Sequence, residues 1–168
     1  MKIKKIQIRD SLNLKNEFFG KIYIGHVKNN KPHGKGYIKQ GELDKFNNIS
    51  WIGKTILKKG TFKDGKFDGV YEYYHENGQL CSKGTYKNSK EEGLWVFYHD
   101  NGELWYKGTY KNGKEEGLWE EYYDNGRLDR KGTYKDGKLN GISEHYYKNG
   151  KINNNYHGTY KNDVKTSD

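Results

Sequence analysis

The sequence predicts an all-β fold, an elongated single antiparallel sheet of consecutive β-hairpins arranged as a repeat solenoid. A phrase beginning Lys-Gly-Thr-Tyr or Lys-Gly-Thr-Phe recurs every 24 residues, with its glycine at Gly60, Gly84, Gly108 and Gly132. Each of these intervals holds two turn signals. The 168-residue chain contains 16 tyrosines and no alanine, a composition that favours strands over helices. Together, the fixed period and the turns indicate a repeat architecture.

Residues 1–19 form an N-terminal segment that precedes the repeats. Its isoleucines alternate with polar residues in the stretch IKKIQIRD, a pattern typical of a strand. Because the end of a solenoid must present one face to water, terminal units differ from the repeats. We expect residues 1–19 to be a capping strand and residues 20–166 to form the repeat domain, with about five to six repeats.

The first recognisable repeat spans residues 20–37. Residues 23–25 read Tyr-x-Gly and residues 33–37 read His-Gly-x-Gly-Tyr, which resembles the MORN motif (membrane occupation and recognition nexus). The later copies, such as GTYKNGKEEGLWEEYYDNG, resemble the variant form of this repeat found in bacterial proteins, some of which are antitoxins of toxin–antitoxin pairs. The resemblance covers about residues 20–166 and implies a MORN-type repeat solenoid.

Residues 38–59 interrupt the rhythm of the repeats. Gly25 and Gly60 are separated by 35 residues, which is 11 more than one period. Insertions in solenoids usually form loops, often on the binding face. Phe46 and Trp51 within this insertion either anchor the loop on the sheet or are displayed for a partner.

Each of the four regular copies contains two turns. The first carries Asp64-Gly65, Asn112-Gly113 or Asp136-Gly137, which are strong hairpin signals because both residues tolerate positive φ. The copy with Asn88-Ser89 departs from this pattern, so we expect a less favourable turn there. The second turn carries an Asn-Gly pair in every copy, at residues 77–78, 101–102, 125–126 and 149–150.

Two rows of side chains are predicted to form the core, because equivalent residues of successive repeats stack on one another. One row is aromatic and the other is the aliphatic residue after the second turn. The aromatic row is Phe62, Tyr86, Tyr110, Tyr134 and Tyr160, and the aliphatic row is Leu80, Leu104, Leu128 and Ile152.

A further stripe of rings is the candidate partner-binding site. Three of its members share one repeat position, and Ser143 interrupts them in the next copy. Trp and Tyr dominate protein-binding hot spots, although the same stripe could be the inner face of a curved sheet. The candidate residues are Trp95, Trp119, Tyr71, Tyr73, Phe97 and Trp51.

The residues that could carry chemistry recur with the repeat, which favours a scaffold role. The Lys-Glu-Glu runs at residues 90–92 and 114–116 are either carboxylate pairs or solvated turns. His75 and His99 stand one repeat apart, about 10 Å by strand spacing, which is too far to share one zinc ion. Cys81 is the only cysteine and would need a neighbouring base to act as a nucleophile. We predict no catalytic residue, no metal site and no cofactor.

The formal charge of +9 indicates either an anionic partner or a lysine-rich surface that keeps sheet edges from pairing. The chain shows neither a signal peptide nor an apolar run long enough for a transmembrane helix, so a cytoplasmic location is expected.

The function that we expect is non-catalytic protein binding. The resemblance to the bacterial variant implies a more specific function, that of an antitoxin or immunity protein that neutralises a toxin by direct binding. The alternative is a scaffold or membrane-associated protein that binds anionic lipid. Nucleic-acid binding by ring stacking is less favoured, because the lysines form no separate basic stripe, and an enzyme is the least favoured class.

Overall fold

The computed structural model describes residues 3–7, 21–43 and 49–167, without the side chains of residues 3–7, 21, 40–43 and 49–55. Every regular element in these residues is a β-strand. The first six strands are β1 (Ile3–Gln7), β2 (Lys21–Lys28), β3 (Lys31–Leu43), β4 (Ile49–Lys63), β5 (Lys66–Tyr74) and β6 (Leu80–Lys87). The others are β7 (Lys90–Tyr98), β8 (Leu104–Lys111), β9 (Lys114–Tyr122), β10 (Leu128–Lys135), β11 (Lys138–His145), β12 (Gly158–Lys161) and β13 (Val164–Ser167).

The described strands form one 13-stranded sheet in which each strand pairs with the next strand of the chain. All of these pairs are antiparallel. The predicted all-β sheet of consecutive hairpins is therefore confirmed. We found no helix in the described part of the chain that is long and apolar enough to span a bilayer.

The first turn of each repeat is a two-residue hairpin turn with both central residues at positive φ. Asp64 and Gly65 have φ of 50° and 91°, and the other Asn-Gly and Asp-Gly pairs are alike, as type I′ turns require. Ser89 also adopts a positive φ, of 64°. This conformation costs an L-residue about 1–2 kcal/mol, which gives a physical reason for the less favourable turn expected at Asn88-Ser89.

The second turns are linked from one repeat to the next by asparagine side chains. Asn77 Oδ1 accepts a hydrogen bond from the Gln79 N–H at 2.9 Å, within its own turn. Its Nδ2 donates to the Asp100 carbonyl oxygen of the next repeat at 2.7 Å. Asn101 makes the equivalent bond to Asp124 at 3.1 Å. The asparagine thus shapes one turn and fixes its position against the next.

Ile22 is fully buried and, because it directly precedes Tyr23 in β2, lies on the opposite face. The rest of the buried hydrophobic core lies on one face of the sheet, which we call the ring face. Its buried members are Tyr23, Ile38, Phe62, Tyr71, Trp95 and Trp119. Aromatic rings on this face contact one another continuously from Tyr23 to Trp119, with ring centroids 4.3 to 6.0 Å apart. Each repeat therefore buries its rings against those of its neighbours, as expected for a solenoid.

Glycine allows the largest rings to lie directly on the sheet. Trp95 covers Gly84, and Trp119 covers Gly108. A Cβ atom added at either glycine would overlap the indole ring above it. In these two repeats, the glycine that opens the repeat phrase is thus the platform on which the indole of the returning strand lies.

The two rows predicted as core are confirmed in part. Phe62 is buried, and the other rings of the aromatic row are half-buried, as are Leu80, Leu104 and Leu128. The prediction is wrong for Ile152, which is 53% exposed. Ile152 lies between β11 and β12, where it forms only an isolated bridge with Tyr146 and lacks the strand pairing that covers its equivalents.

The insertion at residues 38–59 consists partly of strand rather than loop. Gly41 pairs with Trp51, and Leu43 pairs with Ile49, so β3 and β4 extend into it. Phe46 and the side chain of Trp51 lie outside the described part of the structure. Residues Ile3–Gln7 form a strand that pairs with β2. The division into a capping strand at residues 1–19 and a repeat domain at residues 20–166 stays a prediction.

We predict that Gly108→Ala lowers the free energy of unfolding by about 1–3 kcal/mol, the usual cost of overpacking, because the new methyl group displaces the Trp119 indole. Gly132→Ala is the matched control at the same repeat position. There the nearest atom is the flexible end of Leu139, at 2.7 Å, so we expect a loss of less than about 1 kcal/mol. Urea unfolding measures both, and equal losses would contradict the platform role of Gly108.

Candidate binding surface

The ring stripe predicted as the partner-binding site is mostly buried. Tyr71, Trp95 and Trp119 are only 7%, 3% and 1% exposed, so these three rings do not form an exposed stripe, and their contact with a partner stays a prediction. The reason is packing: each is held among neighbouring rings, and both indoles cover a glycine backbone. The alternative, an inner face of the sheet, describes them correctly.

The other candidate rings are less buried. Tyr73 is 37% exposed and has the Lys58 Nζ 5.4 Å from its ring centroid. Phe97 is half-buried and packs between Trp95 and Tyr106. Trp51 has its backbone in β4, and its side chain is outside the described part of the structure. A direct contact of these residues with a partner stays a prediction.

The opposite face carries an exposed apolar row that the sequence analysis missed. Val70, Leu94, Leu118 and Ile142 occupy equivalent positions in four successive repeats and are 55% to 63% exposed. Each pairs across the sheet with a threonine of the following strand. We call these residues the threonine–aliphatic row, which comprises Val70 and Thr85, Leu94 and Thr109, Leu118 and Thr133, and Ile142 and Thr159.

The alternation of side chains along a strand explains this row. Leu94 directly precedes Trp95, and Leu118 directly precedes Trp119, so an indole on the ring face places its neighbour on the opposite face. A sequence signal was therefore present: an aliphatic residue stands immediately before the ring position in every regular copy. This pattern identifies the exposed face only when the buried face of the sheet is known.

Lysine and glutamate alternate beside the threonine–aliphatic row. Lys107 Nζ lies 2.8 Å from Glu120 Oε2, and Lys131 Nζ lies 3.1 Å from Glu144 Oε2. The bond to Glu120 raises the pKa of the Lys107 ammonium. The pKa of the Glu144 carboxyl is lowered, first by a hydrogen bond from the Tyr146 hydroxyl and then by Lys131. At these two positions, a glutamate therefore balances the charge of the lysine.

At its N-terminal end the row opens into a groove of about 590 Å³. Val70 belongs to both features. Ile24 and Tyr37 supply further apolar surface, while Lys59 and Glu72 line the groove with charges and form an ion pair at 3.1 Å. The apolar row and this groove thus make one continuous surface on the face opposite the core.

The repeated carboxylates hold turns together. Glu92 Oε2 accepts a hydrogen bond from the Asn112 N–H at 2.9 Å, and Glu116 Oε2 accepts one from the Asp136 N–H at 3.1 Å. Each carboxylate thereby fixes the first turn of the next repeat. The sequence left two interpretations of the Lys-Glu-Glu runs open, a carboxylate pair or a solvated turn. In the structure, Glu92 and Glu116 instead link neighbouring repeats.

The surroundings of His75, His99 and Cys81 favour a structural role over a chemical one. His75 Nε2 and His99 Nε2 each lie 3.0 Å from a backbone carbonyl oxygen of the next repeat, at Tyr98 and Tyr122. Burial raises the pKa of the Cys81 thiol, which is opposite to the lowering that activates a nucleophilic cysteine. Within the described residues, no group of three histidine, cysteine or acidic side chains is placed to hold a metal ion.

We predict very different losses of stability when two adjacent residues on opposite faces of the sheet are replaced by alanine. Trp95→Ala should lower the free energy of unfolding by about 3–5 kcal/mol, the range for removing a buried ring. Leu94→Ala should change it by no more than about 0.5 kcal/mol, as is usual at exposed sites. Chemical denaturation followed by circular dichroism measures both, and similar losses would contradict the assignment of the two faces.

The comparison with known families agrees with the strand pairs of this sheet. A family model described as the MORN repeat variant matches residues 67–88, 91–112, 115–136 and 139–162, which is more than half of the chain. A model described as the MORN repeat matches residues 23–38 and 59–70. A search of curated proteins found no match. On the extent of these matches, the chain belongs to the MORN repeat family.

Proposed function

We propose that this protein is a non-catalytic module that binds a protein partner through the threonine–aliphatic row. The observation that carries the proposal is the exposure of Val70, Leu94, Leu118 and Ile142, at 55% to 63%, in four successive repeats. A contiguous apolar surface with a polar rim is typical of an interaction site. Burial of these side chains by a partner would provide the main favourable free energy of binding.

Family membership supports the broad class. MORN repeats are generally non-catalytic binding modules that mediate interactions with proteins or lipids. The chemistry of the row favours a protein partner, because Thr85, Thr109 and Thr133 are exposed beside the aliphatic side chains and their hydroxyls can bond to polar groups of a partner. An apolar centre with a polar rim matches the anatomy of protein interfaces.

The lipid alternative receives less support from this face. Attraction to anionic lipid depends on lysines that are free to approach the membrane surface. Beside the row, Lys59, Lys107 and Lys131 are each paired with a glutamate. These pairs reduce the positive potential that a membrane would attract, and they suit the polar rim of a protein interface better.

The more specific hypothesis is that the partner is a toxin and that this protein neutralises it by occluding its active site. Its support is the resemblance of the later repeats to the bacterial variant form, together with an exposed surface that runs along four repeats. Co-expression with the captured partner tests it. A partner that arrests growth when expressed alone, and does not when this protein is present, is the expected result.

We predict that the double variant Leu94→Asp, Leu118→Asp weakens partner binding by tenfold or more, about the loss of one or two interface hot spots, because it places charges in the apolar row. Val164→Asp is the matched control, since Val164 is 66% exposed but lies outside the row. Thermal unfolding should be nearly unchanged in both. Native partners are captured on each protein at low and at moderate salt and identified by mass spectrometry.

The expected result is one stoichiometric protein that the wild type and Val164→Asp retain at both salt concentrations and that the double variant loses. Equal retention by all three proteins would refute the row as the binding site. Retention of lipid or nucleic acid alone, lost as salt rises, would instead favour a charge-driven function.

A further inference from the structure

The ladder of rings over glycines is interrupted in one repeat. Trp95 covers Gly84 and Trp119 covers Gly108, but the equivalent position in the next repeat is Ser143. Above Gly132, an added Cβ atom would meet Leu139 Cδ1 at 2.7 Å and Ser143 Oγ at 3.5 Å. The platform glycine is therefore still present, while the indole that would cover it is not.

Leu139 Cδ1 lies over Gly132 instead of an indole, and both residues line a cavity of about 170 Å³ on the ring face. Its walls combine aromatic residues and Leu139 with polar and charged residues. The aromatic ones are Tyr106, Trp119, Tyr134, Tyr156 and Tyr160, and the polar ones are Glu121, Arg130, Lys131, Ser143 and His145. An apolar cavity of about 150 Å³ in another protein binds benzene. The volume above Gly132 is thus sufficient for one aromatic ring.

The preceding repeats show how a ring is held at this position of the ladder. Tyr86 packs against Trp95 with centroids 5.1 Å apart and planes at 85°, and Tyr110 packs against Trp119 at 4.9 Å and 76°. Tyr134 is the equivalent tyrosine of the next repeat. Ser143 stands where its indole partner would be, so the cavity offers a ring the same edge-to-face contact.

Polar groups at the cavity would orient an incoming ring that carries a donor or an acceptor. Ser143 Oγ lies 3.0 Å from His145 Nε2, and the Arg130 guanidinium pairs with Glu121 at 2.5 Å. The indole N–H of Trp119, a ring only 1% exposed, has no acceptor among the described residues. Aromatic walls combined with polar groups that fix orientation are typical of a specific ligand pocket.

We propose that the cavity above Gly132 is a binding site for one planar aromatic ring, which completes the interrupted ladder between Trp119 and Tyr134. The ring can belong to a side chain of a partner protein or to a free small molecule, since both present the same chemistry. This site is on the face opposite the threonine–aliphatic row, so it stands independently of the function proposed above.

The test uses indole as the free probe and N-acetyltryptophanamide as a model for a side chain on a peptide. Binding to the full-length protein is followed by NMR chemical shifts. We expect saturable binding of indole to the wild type, with shifts concentrated at Gly132, Tyr134 and Ser143. Binding of N-acetyltryptophanamide as well would assign the site to a partner side chain, and binding of indole alone would assign it to a small molecule.

The decisive variant is Ser143→Trp, which supplies the missing indole from the chain itself. We expect it to raise the melting temperature and to weaken indole binding by about tenfold or more. Ser143→Ala is the control, because it removes the hydroxyl without filling the cavity, and it should still bind indole. If Ser143→Trp fails to fold, Ser143→Phe supplies a smaller ring for the same comparison.

Two results would overturn the proposal. One is the absence of saturable indole binding to the folded wild-type protein. The other is equal binding of indole to the wild type and to the folded Ser143→Trp or Ser143→Phe variant. Neither variant alters the threonine–aliphatic row, so partner capture by that row can succeed or fail independently of this test.

Discussion

The structure depends on one contact, an aromatic ring that covers the glycine of a neighbouring strand. Trp119 over Gly108 and Trp95 over Gly84 are the clearest cases. The ring excludes water from the backbone beneath it and contacts the rings of the adjacent repeats. Because a single sheet has no second layer to pack against, this contact replaces the sheet-on-sheet or helix-on-sheet core of most β-proteins.

The same contact determines which face is free for function. The buried rings cover one face of the sheet, and the opposite face leaves Val70, Leu94, Leu118 and Ile142 in contact with water. Leu94 and Leu118 are exposed because Trp95 and Trp119, their neighbours in the chain, are buried. The turns do not determine which face is buried. The asparagine side chains of the second turns and the glutamates that bond to the first turns align one repeat with the next.

The fold could be predicted from the sequence because its evidence is local. The period of 24 residues and the Asn-Gly and Asp-Gly turns define hairpins without any knowledge of distant contacts. The binding surface could not be predicted in the same way. Leu118 and Trp119 alternate along one strand, and both faces carry rings, so residue type alone did not identify the buried side.

Three further features required the three-dimensional arrangement. The close approach of Trp119 to Gly108 depends on the pairing of different strands, which explains why Trp95 and Trp119 were expected at the surface. The bond from Glu92 to the backbone of Asn112 joins residues 20 positions apart. The replacement of a ring by Ser143 was visible in the sequence, but the cavity that it leaves was not.

Amide hydrogen exchange along the sheet tests the central claim most directly. If rings over glycines hold the strands together, protection should be highest in β6 to β9, where Trp95 and Trp119 cover their platforms. It should fall in β11 and β12, beyond the interruption at Ser143, because repeat proteins open locally according to the contacts of each unit. Uniform protection across all of these strands, or a maximum in β11 and β12, would contradict the account.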